Sequence, residues 1–229
     1  MNFWSVLYDL CMGFGMTLKL FALTLVIAIP LGLLFCFCSM SKFKPLSWLM
    51  KGIIWVVRGT PLLLQCVIVT FIPSVLLKIP NKDFAAMLNL DKMADLQFIF
   101  VLFAFAVNYA CYFAVIFEGG IKNIPKGQRE AGQVLGMTKW QIFFHVVLMQ
   151  VIRKIMAPMS NEVITLVKDT ALARALSITE IILEAYEKIN KYAVLSPLFY
   201  AGAFYLAFSG ILTLLFHLLE KKICYYEVT

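Results

Sequence analysis

Residues 96–117 read LQFIFVLFAFAVNYACYFAVIF, without one charged side chain. A stretch of that kind matches the roughly 20 apolar residues that carry an α-helix across the hydrocarbon of a bilayer. In lipid every backbone group must be satisfied internally, so a segment apolar on all faces crosses as a helix. Three further runs have the same character: 13–38, interrupted only by Lys19 and Pro30; 53–77, with Arg58 near its start and Pro61 soon after; and 197–219. Hydrophobic residues make up 62% of the 229 positions and charged residues 14%, against about 25% charged in water-soluble domains. The chain is expected to be an all-α integral membrane protein, a single membrane domain over 1–229 with about five transmembrane helices.

The remaining span is less plain. Between Trp140 and Thr170 the apolar pattern is broken by Arg153, Lys154, Pro158, Asn161 and Glu162. A short span over 155–176 is expected there, sheltered by protein rather than lipid. Glu162 gives the reason, because a carboxylate near mid-membrane costs at least about 2.5 kcal/mol when it faces hydrocarbon.

The formal charge of +7 sits largely in short loops, where membrane topology accounts for it and nucleic acid need not. Loops 39–52, 118–154 and 220–229 hold eleven Lys and Arg; loops 1–12, 78–95 and 169–195 hold six. The richer set belongs in the cytoplasm, which puts the N-terminus outside and the C-terminus inside. Residues 1–12 contain no Lys or Arg, so the first run reads as a retained helix, not a cleaved leader. Cys11, Cys36, Cys38, Cys66, Cys111 and Cys224 form no Cys-x-x-Cys pair, and only His145 and His217 are available beside them. Helix packing is their expected role, with no metal site.

The longest cytoplasmic loop opens as EGGIKNIPKGQREAGQVLGMTKWQIFFHVVLM over residues 118–149. Pro125 can open a helix, Gly136 suits the left-handed residue that closes one, and Thr138 with Gln141 forms a capping-box pattern that starts another. Glu130-Ala131-Gly132, Gly136, Val146 and Leu148 resemble the "EAA" loop of ABC-importer permeases. In that family a Glu-Ala-Ala triplet precedes a glycine at fixed spacing, and Ile-x-Leu-Pro follows. Gly132 and Met149 depart from the pattern, and Gly132 weakens the short helix by up to about 1 kcal/mol against Ala. The resemblance implies a coupling loop over about 118–141, whose Glu130, Ala131, Gly132, Gly136 and Met137 dock on an ATPase subunit. Taken alone, the stretch is an amphipathic loop helix.

Two more segments narrow the resemblance. VRGTPLLLQ over residues 57–65 resembles the "FRGTPLLVQ" segment of polar-amino-acid permeases. Asn161-Glu162-Val163-Ile164 and Lys168-Asp169-Thr170-Ala171-Leu172 resemble that subfamily's "NELI…KDTSL". The likeness covers residues 13–220 and is to the histidine, glutamine, arginine and cystine type of permease. It implies a type I ABC importer fold and an assembly: two cytoplasmic ATPase subunits, a second permease subunit, an external substrate-binding protein and an amino-acid substrate. No G-x-x-x-x-G-K-[ST] loop occurs in the sequence, so ATP and magnesium are expected in a partner, with no cofactor and no catalytic residue here.

A zwitterionic solute needs opposite charges in a dry place. Arg58 can grip a carboxylate through two donors, and Glu162 can hold an ammonium group. On a helix Glu162, Thr165 and Asp169 share one face while Asn161, Thr165 and Lys168 share the next; Gln65 completes the candidate set. Each has another reading. Arg58 can snorkel to lipid headgroups, Glu162 can pair with Arg58 or Lys168, and Lys168 and Asp169 can mark the outer end of the span. Asn108 and Tyr109 read as interhelical glue. The competing functions are an ion-gradient-driven secondary transporter, an intramembrane enzyme, and the same ABC type carrying an opine-like solute. The transporter lacks the extra carboxylates and repeats expected of it. An enzyme lacks partners for His145 and His217.

Overall fold

The computed structural model describes residues 3–90 and 92–223; Cys224 and the end of the basic loop 220–229 lie outside them. The described residues form helices joined by short loops, with no strand among them. In chain order the elements are α1 (Phe3–Ser39), α2 (Lys44–Arg58), α3 (Leu62–Val75), α4 (Asn81–Met87), α5 (Met93–Lys122), α6 (Lys126–Val134) and α7 (Lys139–Gln141). A π-helical turn (Ile142–Val147) leads into α8 (Leu148–Asp169), which tightens into a 3-10 segment (Thr170–Leu176) before α9 (Ile181–Tyr192) and α10 (Ser196–Ile223). Among the described residues four helical stretches are long and apolar enough to cross a membrane, and five if the bent pair α2–α3 is one span.

The hydrophobic centre is α5, whose Phe105, Tyr109 and Phe113 are wholly buried. It lies along α1, and Gly32 permits the approach: a Cβ there would stand 2.9 Å from Cβ of Phe113 and 3.0 Å from the carbonyl oxygen of Ala110. Small residues at such a crossing are how membrane helices gain packing without a hydrophobic drive. Pro30 sits inside α1 without ending it.

Three segments differ from the sequence expectation. The run 53–77 is not one helix, because α2 and α3 meet at 109°. Pro61 has no amide hydrogen and disfavours helical geometry in the residue before it, so the chain stops at Arg58 and restarts at Leu62. The first helix begins ten residues before the expected Gly13, at Phe3. In the fourth span, which was expected to be short and sheltered over 155–176, helical structure runs from Lys139 to Leu176, and little of it is covered by this chain. Lys154, Pro158, Asn161, Thr165 and Lys168 leave an exposed stripe at helical spacing.

Candidate functional site

The bend between α2 and α3 is braced by one amide. Nε2 of Gln65 reaches the carbonyl oxygens of Val57 (2.7 Å) and Thr60 (3.1 Å) and the hydroxyl of Thr60 (2.9 Å). Its Oε1 accepts from Nδ2 of Asn108 at 3.0 Å. Carbonyls left over at the end of α2 are thereby satisfied, as a helix end in a membrane requires. Gln65 was a candidate substrate ligand; the structure places its side chain in the bend.

Beside the bend, α3, α5 and α8 enclose a cavity of about 410 Å³, a size that suits a small solute. Its polar wall is Thr60, Asn108, Tyr109, Tyr112, Glu162, Thr165 and Asp169. Glu162, Thr165 and Asp169 thus stand together, as their spacing predicts. Tyr109 donates to Oδ2 of Asp169 at 2.6 Å, and Thr165 donates to the carbonyl of Asn161 at 2.9 Å. The Arg58 guanidinium lies over the Tyr112 ring, 4.9 Å from its centroid. Neither Arg58 nor Glu162 belongs to an ion pair found among the described residues. Asn161 and Lys168 are exposed beside the cavity rather than in its wall. Asn108 and Tyr109 read as packing residues in the sequence and Tyr112 was not singled out; Asn108 and Tyr109 do join helices, yet all three line the cavity, which helical periodicity on one element cannot reveal.

At one end of the bundle, α6 and the start of the next helical stretch form a hairpin. Pro125 is the N-cap of α6. Gly136, at φ +72°, closes it with bonds from its own amide to Gln133 O and from Met137 to Gly132 O, the paired pattern of a Schellman ending. Thr138 and Gln141 then form a complete capping box. Gly132 is buried against the π-helical turn, where a Cβ would lie 2.8 Å from Cγ1 of Ile142. Glu130 and Ala131 are exposed, and Met137 packs partly inward on Ile124, Ile142 and Val147. The most open apolar residues of the hairpin are Val134, 88% exposed, and Leu135, 79% exposed. They went unnoticed in the sequence because two apolar residues at a helix end read as ordinary packing.

A bundle of apolar helices around a polar, solute-sized cavity, with an exposed helical hairpin at one end, defines a multi-span membrane transport subunit. The chain belongs to the family described as "Binding-protein-dependent transport system inner membrane component", which matches residues 12–224. It is similar to the L-cystine transport system permease of Bacillus subtilis strain 168, 31% identical over 97% of this chain and 88% of that one. The arginine transport system permease of the same organism is 32% identical over 92% of this chain and 90% of its own length. The octopine transport system permease of Rhizobium radiobacter is 31% identical over 95% and 86%. Among solved structures, an amino acid ABC transporter crystallised with histidines superposes with a TM-score of 0.78 at 26% identity, covering 97% of this chain and 99% of that one.

Proposed function

We propose that this chain is a membrane-spanning subunit of an ATP-driven importer and that its cargo is an amino acid. The observation that carries this reading is the cavity, whose wall holds the carboxylates of Glu162 and Asp169, while the Arg58 guanidinium, exposed and outside that wall, lies over the wall residue Tyr112. Charges of both signs at one small site suit a zwitterion, with Arg58 for the carboxylate and Glu162 for the ammonium group. Asn161 and Lys168, at the exposed edge, would meet solute as it enters or leaves. Family membership sets aside the gradient-driven secondary transporter.

The exposed stripe on α8 supports a second permease subunit, because lysines and a half-buried carboxylate on one helix face are costly against lipid. The cavity then lies between two subunits, and the pathway opens to one side at a time. Two ATPases would dock on the hairpin, through Glu130, Ala131, Val134 and Leu135, with Gly132, Gly136 and Met137 holding its shape. ATP and magnesium belong to those partners, and an external binding protein delivers the solute. The excess of Lys and Arg in the hairpin loop supports a cytoplasmic hairpin and C-terminus with the N-terminus outside, in a bacterial cytoplasmic membrane.

The test is uptake into proteoliposomes by the complex purified with its native partners, using a panel of radiolabelled amino acids, cystine and octopine. ATP-dependent accumulation of one amino acid supports the reading, and accumulation of none contradicts it. Uptake of octopine alone would favour the opine-like reading, which the likeness to the octopine permease keeps in view.

A further inference from the structure

Glu180, a carboxylate at the start of α9, is wholly buried. It accepts from the backbone amides of Ile182 and Leu183, both at 2.9 Å, and so caps α9. It also accepts from the Tyr205 hydroxyl of α10 at 3.2 Å. The Tyr205 oxygen stands 3.4 Å from Oγ1 of Thr170, another wholly buried group. Thr170 follows Asp169 directly in the chain, and Asp169 is the cavity carboxylate that Tyr109 holds. One hydroxyl of α10 therefore meets both the start of α9 and Thr170, the residue next to the cavity's Asp169.

Tyr205 has one proton, and Glu180 and the hydroxyls of Thr170 and Thr17 are all in reach of it. A carboxylate is the stronger acceptor, so the proton points at Glu180. Thr170 gives its own proton to the carbonyl of Val167 at 2.6 Å, so toward Tyr205 it can only accept, taking the weaker share of the tyrosine proton. Groups this deeply buried are expensive unless all are paired, and once paired they fix one arrangement. The segment they hold needs that support. Thr170–Leu176 is a seven-residue 3-10 stretch, whereas runs beyond three or four residues are uncommon because their hydrogen bonds are poorly aligned. It ends at Ser177 in the left-handed region, φ +59°.

We propose that Tyr205 is a positioning residue for the cavity: it holds Thr170 between α10 and Glu180, and this sets where the Asp169 carboxylate stands toward the solute. The inference rests on the proposed role of the cavity in binding an amino acid.

The experiment compares ATP-driven uptake by the reconstituted complex carrying Tyr205→Phe, Thr170→Val, Thr170→Ser or Asp169→Asn. Radiolabelled L-arginine is the probe, or the panel amino acid that the wild type accumulates if arginine is not taken up. Tyr205→Phe and Thr170→Val are each expected to raise the half-saturating concentration by about two- to tenfold, the worth of one neutral hydrogen bond. Maximal rate should change little even where the lost pairing of a buried group lowers the melting temperature, and Thr170→Ser, which keeps the hydroxyl, should behave as wild type. An unchanged half-saturating concentration in Tyr205→Phe, or a loss of rate that merely follows a lower melting temperature, overturns the inference. If Asp169→Asn also leaves that concentration unchanged, the cavity reading fails with it. If Asp169→Asn raises it and Tyr205→Phe does not, only the positioning role fails. A wild type that accumulates no panel amino acid removes both.

Discussion

The hydroxyl of Tyr109 donates to Oδ2 of Asp169 across 2.6 Å, tying the central helix α5 to the point where α8 tightens into its 3-10 segment. Asp169 is held there from one side, while Glu162, at helical spacing seven residues earlier, has no side-chain partner among the bonds found in the described residues. The two carboxylates of one cavity thus have different freedom to meet a solute.

Glu162→Gln should therefore cost more in solute affinity than its effect on folding suggests. A hydrogen bond to a charged group is worth about 1.5–3 kcal/mol, so the half-saturating concentration for uptake should rise about tenfold or more. Melting temperature in detergent should stay near wild type. Equal affinities in variant and wild type would remove Glu162 from the solute site.

Gln65→Leu should act in the opposite manner, through stability. It strips the donor from the carbonyl of Thr60 at the bend, while that of Val57 keeps the Thr60 amide and hydroxyl, and a carbonyl orphaned away from water costs about 1–3 kcal/mol. A fall in melting temperature is expected, and Gln65→Glu, which keeps the shape but loses the donor, should share it. A stable Gln65→Leu variant with weak uptake would return Gln65 to the solute site.

Gly132→Ala places a methyl group 2.8 Å from Cγ1 of Ile142. Overpacking of that kind costs about 1–3 kcal/mol, and here it must shift α6 against the π-helical turn. ATP hydrolysis by the complex should persist while solute accumulation per ATP falls, and adding Ile142→Ala should restore part of it. Accumulation per ATP equal to wild type in Gly132→Ala would show that the hairpin tolerates the shift.

At the other end of the bundle, Lys188 of α9 pairs with Asp9 of α1. The hydrogen bond from its ammonium to Asp9 lifts the Lys188 pKa above its ordinary value. Stability from a raised lysine pKa is fully present below the unfolded value, about 10.4, and is lost as pH rises through the folded one. Wild type should outlast Lys188→Met in thermal melts at neutral pH, and the gap should close only above the ordinary lysine range. A gap that closes near neutral pH would assign the difference to another group.

The apolar runs made much of this fold legible, since 96–117 has no folded state in a bilayer other than a helix. The hairpin was legible too, because Gly136 and the Thr138–Gln141 box are local signals that need no tertiary context. The bend at Pro61 was not, although its residues were in view. Hydropathy sums over Arg58–Pro61 and sees one apolar stretch, whereas the break depends on a missing amide hydrogen and on Gln65, itself held by Asn108, arriving to satisfy the freed carbonyls. In the cavity, Glu162, Thr165 and Asp169 followed from spacing on one helix. Tyr109, Tyr112 and Asn108 did not, because their part is decided by how α5 meets α3 and α8.

The most direct test of the central claim is affinity purification of the detergent-solubilised chain from its native cells, with mass spectrometry of the bound proteins and Glu130→Arg as the paired variant. The account predicts an ATPase recovered with the wild type and lost with Glu130→Arg, while both chains melt at the same temperature. Wild-type protein that brings down no ATPase would contradict it.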